Sequence, residues 1–132
     1  MGMIGGGKNA FIGAVHRIAA NIDGLIELHC GAFSSNPELS MESGQALFLP
    51  KDKSYGSYEE MITTEAQLPP NERMDFVSIV TPNHAHFAPA MMALDYGFNV
   101  VIEKPITFSL EEAKLLEQKI KDTGLILCLT HT

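Results

Sequence analysis

Short β-rich runs alternate with helical patterns along this chain, and no hairpin signal joins any two of them. That alternation constrains the fold more than any single motif. Successive strands without hairpins need crossover connections, which run right-handed within one sheet and leave the strands parallel. Strands are expected over 1–4, 25–33, 76–80, 99–102 and 125–130. Phe76 to Val80 is near-continuously apolar, as a strand buried on both faces requires. Helical spacing of Val15, Ile18, Ala19 and Ile22 predicts a helix from Gly13 to Ile22. Asn36 and Pro37 open a second, running to about Ala46. Ser57 opens a third, with Glu60 completing a capping box. A fourth runs from His86 to Tyr96 and is stopped by Gly97. Ser109 caps the fifth, with Glu111 and Glu112 in its first turn and Gly124 at its end. The fold class implied is α/β, a doubly wound parallel sheet in one domain over residues 1–132.

Composition removes several classes of partner. A net charge of −7 with nine basic residues leaves no footprint for a phosphate backbone, so nucleic acid is not expected. No apolar run approaches the roughly 20 residues that span a bilayer, and the N-terminus lacks the charged and apolar regions of a secretory signal. Cys30 and Cys128 both lie in apolar runs and read as reduced core residues, which fits the cytoplasm.

In a sheet of this kind, ligands bind beyond the carboxyl ends of the strands. Gly5-x-Gly7-x-x-Ala10 stands directly after the first strand and before the first helix, the context a Rossmann dinucleotide fingerprint needs. Glycines there allow a tight turn and leave the backbone open to a pyrophosphate, which the helix N-terminus stabilises. The next strand tip carries Ser34 and Ser35 where an Asp or Glu usually holds the ribose hydroxyls. Without that carboxylate a 2′-phosphate is not repelled, and without an arginine it is not attracted, so NAD and NADP both remain open.

Two further loops carry chemistry. Thr81-Pro82-Asn83-His84-Ala85-His86 follows the third of these strands. Two histidines two apart suggest a metal, but no Cys, Asp or Glu stands nearby in sequence, so no metal site is assigned. Backbone contact to the dinucleotide from Thr81, Pro82 and Asn83, with His86 capping the next helix, is the expectation. Glu103-Lys104-Pro105 ends the fourth strand. On a plain surface the acid and base would form a solvated pair of little worth. At a strand's carboxyl end Lys104 can instead donate to a substrate oxygen, stabilise a developing alkoxide and hydrogen-bond the cofactor's ribose, while Pro105 fixes the turn.

Together these segments resemble the Gfo/Idh/MocA oxidoreductases, the glucose-fructose oxidoreductase and inositol dehydrogenase group. The order and spacing of the three motifs carry the resemblance, which covers essentially the whole chain. The stretch from Gly5 to Arg17 looks like a lengthened glycine loop of one branch, with Gly13 in the close-packing role and Gly5, Gly7, Ala10, Phe11 and Ile12 at the cofactor. The resemblance implies NAD or NADP as cofactor, hydride transfer with a sugar, inositol or related polyol, and a homo-oligomeric enzyme with a C-terminal substrate domain. It gives Lys104 the catalytic role and sets Glu103 and Pro105 beside the nicotinamide ribose. The general acid/base implied by the family lies in that further domain, so these 132 residues alone are expected to be inactive. A non-catalytic dinucleotide-binding sensor, or a transferase using another nucleotide-like cofactor, is the competing reading. Neither would need a lysine at the hydride site.

Overall fold

The structure is a computed structural model and describes residues 1–131. Strands β1 (Gly2–Gly5), β2 (Cys30–Ala32), β3 (Phe76–Val80), β4 (Asn99–Ile102) and β5 (Leu127–Leu129) alternate with helices α1 (Phe11–Asn21), α2 (Pro37–Ala46), α3 (Tyr58–Gln67), α4 (Phe87–Asp95) and α5 (Leu110–Thr123). All four strand pairings are parallel, in the order β2-β1-β3-β4-β5. The chain starts at β1, leaves leftward to β2 and returns rightward to β3. The order therefore switches direction at the carboxyl ends of β1 and β3, where an open α/β sheet places its ligand.

The main core lies between the sheet and α3, α4 and α5, built on Met61, Ile62, Ile79, Leu94, Phe98, Ile102 and Leu116. A smaller core under α1 and β2 gathers Met1, Met3, Phe33 and Val80. Glu65 of α3 is fully buried. Its carboxylate accepts from Lys53 Nζ (2.8 Å), the Tyr55 hydroxyl (2.8 Å) and Met74 N (2.8 Å). These bonds pin the connection after α2 and the approach to β3 to a single helix.

Several expectations needed correction. The second strand is three residues long, not nine, because its one strand partner among the described residues is β1, whose ladder begins at Gly2 opposite Cys30, and its other edge makes a single bridge, Gly31 to Ser54. Residues 25–29 run beside the smaller core outside the strands, tied to the sheet by backbone bonds with Met1, from His29 N to Met1 O (2.8 Å) and from Met1 N to Glu27 O (2.7 Å), and Glu27 is exposed there. The helix expected from Gly13 starts at Phe11. Ser57 caps α3 by accepting from Glu60 N, but Glu60 turns its carboxylate to Gly56 N, one residue short of a reciprocal box. The complete box is at Ser109 and Glu112, heading α5. Cys128 is exposed rather than in the core. It pairs with Val101 in register, whose neighbours Val100 and Ile102 point into the main core, so Cys128 lies on the opposite face of an edge strand. No helix among the described residues is long and apolar enough to cross a membrane.

Candidate functional site

The glycine segment turns sharply as it leaves β1. Gly5 and Gly6 adopt φ of 82° and 71°, a region that side chains rarely enter. A Cβ on Gly13 would lie 2.4 Å from the Gly6 Cα, so α1 packs directly on the loop backbone. Gly7 is constrained differently from the sequence expectation. The space its side chain would take holds the Phe33 carbonyl (2.8 Å) and Ser43 Oγ (2.9 Å), not the approach of a ligand. Ala10 N donates to Gly7 O at 2.9 Å and closes the turn. Ala10 offers no side-chain cap, and the first turn of α1 has no acidic residue. The leading N–H groups of α1 therefore retain donor capacity for an anion. Phe11 is 83% exposed and Ile12 is half-buried.

Helix α2 supports this loop and the tip of β2 together. Ser40 Oγ accepts from Phe33 N (2.8 Å) and donates to Tyr55 O (2.6 Å), while Ser43 Oγ accepts from Lys8 N (3.2 Å). Sequence reasoning passed over these serines. The signal was the spacing of Ser40, Ser43 and Gly44, all buried, which gives α2 one small, hydrogen-bonding face. Ser34 is half-buried and accepts from Asn36 N, and Ser35 is exposed. Beside Ser34, Lys8 and Glu42 line a cavity of about 280 Å³ between the loop and α2. The β2 tip thus has a cation and an anion within one pocket, which the linear sequence did not bring together.

A larger cavity of about 550 Å³ opens over the switch point. Gly5, Ala10, Ser34, Ser35, Thr81 and Pro82 all line it, so three loops far apart in sequence meet as expected. Gly7, Phe11, Ile12 and Asn83 lie outside its lining, as do Glu103, Lys104 and Pro105. His86 does not cap α4 with its side chain. It is fully buried, with Nδ1 2.7 Å from Pro105 O and Nε2 3.0 Å from Thr81 O. The ring is drawn to those two carbonyls and ties the third loop to the Glu103-Lys104-Pro105 turn. Asn83 and His84 are exposed, and no three His, Cys, Asp or Glu side chains gather for a metal among the described residues.

At the end of β4 the three motif residues diverge. Lys104 and Pro105 are exposed, joined by a cis peptide bond. Glu103 is only 5% exposed. Its Oε1 accepts from Thr130 Oγ1 (2.9 Å) and lies 2.9 Å from His16 Nε2, while its Oε2 accepts from Lys104 N (3.1 Å). The other ring nitrogen of His16 is 2.9 Å from Ser78 Oγ. His16, Ser78 and Thr130 were not singled out from sequence. No local pattern marks them, because the group is assembled from α1, β3, β4 and the end of β5.

A tight glycine turn, an uncapped helix N-terminus and a cavity crossing the tips of β1, β2 and β3 suit an extended, anionic, partly apolar ligand such as a dinucleotide. Comparison with known proteins agrees. The model of the Gfo/Idh/MocA oxidoreductase family, NAD-binding Rossmann fold, matches residues 1–131. An uncharacterized Bacillus subtilis oxidoreductase, YfiI, is 32% identical over 130 residues, covering 98% of this chain and 33% of the relative. Among solved structures, an oxidoreductase from Sinorhizobium meliloti superposes with a TM-score of 0.91 at 45% identity, over 98% of this chain and 35% of that one. An inositol dehydrogenase homolog from Azotobacter vinelandii, complexed with NADH and myo-inositol, gives 0.92 at 37% identity, over 98% and 34%. The chain spans about a third of the length of these proteins. With its glycine turn, strand order and length of match all in accord, the chain belongs to the Gfo/Idh/MocA oxidoreductase family and has the form of its NAD-binding Rossmann domain.

Proposed function

We propose that this chain is the nicotinamide-dinucleotide-binding unit of an oxidoreductase that moves hydride to or from a sugar, inositol or related polyol. One observation carries the reading: the glycine turn, the open N-terminus of α1 and the tips of β2 and β3 face a single cavity. The dinucleotide supplies the hydride chemistry. The turn from Gly5 to Ala10 and the first turn of α1, with Phe11 and Ile12, hold the pyrophosphate. Ser34 and Ser35 meet the adenosine ribose. Thr81, Pro82 and Asn83 border the path toward the nicotinamide, and His86 fixes that loop. Lys104 donates to the reacting oxygen of the substrate, and Glu103 and Pro105 set its place. The polyol and the general acid/base belong to a further domain, in a homo-oligomeric enzyme of the cytoplasm, so this chain alone turns over no polyol.

Titration of the chain with NADH and with NADPH, followed by fluorescence, tests the reading. Saturable binding of either is expected. Comparable affinity for both would follow from Lys8 and Glu42 offsetting each other beside Ser34. A folded chain that binds neither would overturn the assignment of the cavity.

A further inference from the structure

The lysine assigned to the reacting oxygen is exposed, and its side chain makes no hydrogen bond or ion pair among the described residues. What holds it in place is therefore its backbone. Lys104 N donates to Glu103 Oε2, and the opposite oxygen of that carboxylate meets His16 Nε2 and Thr130 Oγ1. Beyond the ring, His16 Nδ1 reaches Ser78 Oγ on β3. A ring carrying its proton on Nε2 donates to Glu103 and accepts at Nδ1 from the Ser78 hydroxyl, which satisfies both contacts. The side chains of His16 and Glu103 are 8% and 7% exposed. In such shelter a hydrogen bond to a carboxylate is stronger than in water, and each member of the network constrains the next.

His16 sits one turn into α1, the helix whose N-terminus faces the glycine turn. We propose that His16 is a positioning residue for Lys104. Through Glu103 it fixes the Lys104 backbone relative to α1, so the dinucleotide helix and the lysine keep one geometry. This rests on the reading of Lys104 given above. A histidine packed merely to fill space between α1 and the sheet would need its volume but not its donor, and the two roles separate by substitution. Gln at position 16 can extend an amide N–H toward Glu103, whereas Ala cannot.

The test uses the protein with lysine-selective ¹⁵N labelling, reading solvent exchange of the Lys104 amide by NMR alongside thermal melting and NADH titration. In His16→Ala the Lys104 amide should exchange about tenfold faster or more, as expected when a charge-assisted bond in its support is lost. His16→Gln should return it to within about twofold of the parent, and NADH affinity should stay within about threefold in both. Thr130→Val, which removes a second bond to the same oxygen, should give a smaller increase and serves if His16→Ala does not fold. Unchanged Lys104 exchange in His16→Ala, or in Thr130→Val if that stands in for it, would overturn the proposal. So would a well-folded His16→Gln that exchanges as fast as His16→Ala, because the ring's bulk would then be what matters. Failure of the parent to bind NADH or NADPH would remove the dinucleotide reading instead, and the exchange rates would still report on the His16–Glu103 link.

Discussion

Gly6 and Gly13 touch backbone to backbone: a Cβ on Gly13 would fall 2.4 Å from the Gly6 Cα and 2.7 Å from the Gly6 carbonyl oxygen. Both partners are main chain, so no rotamer change relieves the overlap. Gly13→Ala should lose about 1–3 kcal/mol of stability by overpacking. It should also weaken NADH binding by shifting α1 from the turn. Urea unfolding and NADH titration on the same preparation check this; an alanine variant equal to the parent in both would show that the helix is free to retreat.

Gly7 answers to a different neighbour. Its substitution by Val would drive a branched side chain into the Phe33 carbonyl and Ser43 Oγ, pushing the loop off α2 and the β2 tip. Dinucleotide affinity should fall below detection. Undiminished affinity in Gly7→Val would take the glycine turn out of the binding site.

Lys104→Ala, placed in the whole enzyme, should lower turnover by about 10²–10³-fold, the loss typical of one preorganised donor at a developing oxyanion. Because Lys104 lies outside the lining of the main cavity, dinucleotide affinity should change little. Steady-state kinetics paired with NADH titration separate the two effects, and equal losses in both would move the lysine from the substrate to the cofactor.

Acid stability should depend on Glu65. Burial alone raises the pKa of this carboxyl, but donation from Lys53, Met74 N and Tyr55 outweighs it and holds the group below its ordinary value of 4.5. A carboxyl with a depressed folded pKa contributes stability that is complete above the unfolded value and lost as pH falls through the folded one. Urea midpoints should accordingly drop below about pH 4.5. In Glu65→Gln that acid-side slope should flatten, while stability at neutral pH falls by about 3–5 kcal/mol because Lys53 loses its counter-charge and keeps only the Glu72 carbonyl. A parallel pH profile in the variant would assign the acid sensitivity elsewhere.

The two cysteines should differ in reactivity. Cys30 is buried, and burial, reinforced by Glu65, pushes its thiol pKa upward, whereas Cys128 is exposed. An aromatic disulfide reagent should count one thiol in the native chain and two in denaturant. Two fast thiols under native conditions would mean that β2 opens readily.

Much of the fold was legible from sequence because the signals were local. Phe76–Val80 and Asn99–Ile102 were found at their observed bounds, since buried parallel strands read as continuous apolar runs closed by turn residues. Ser109, Gly97 and Gly124 marked their helix ends for equally local reasons. The extent of β2 was not legible, because strand length depends on what the neighbour offers and β1 offers a ladder only from Gly2. In the site, the loops that meet in the cavity could be read from strand ends. The directions of His86 and Glu103 could not, because both are turned toward partners 19 and 87 residues away along the chain.

Along the first helix, three contacts depend on a fixed count of residues: Gly13 on Gly6, His16 on Ser78 and Glu103, and Arg17 Nη1 on the Gly6 carbonyl at 2.9 Å. Chain-length variation therefore divides sharply at Phe11. A residue inserted among the exposed Lys8, Asn9 and Ala10 reshapes the turn that Ala10 N closes on Gly7 O but leaves the register of the helix beyond it intact. A residue inserted between Gly13 and His16 turns everything beyond it by about 100° and swings both His16 and Arg17 from their partners at once.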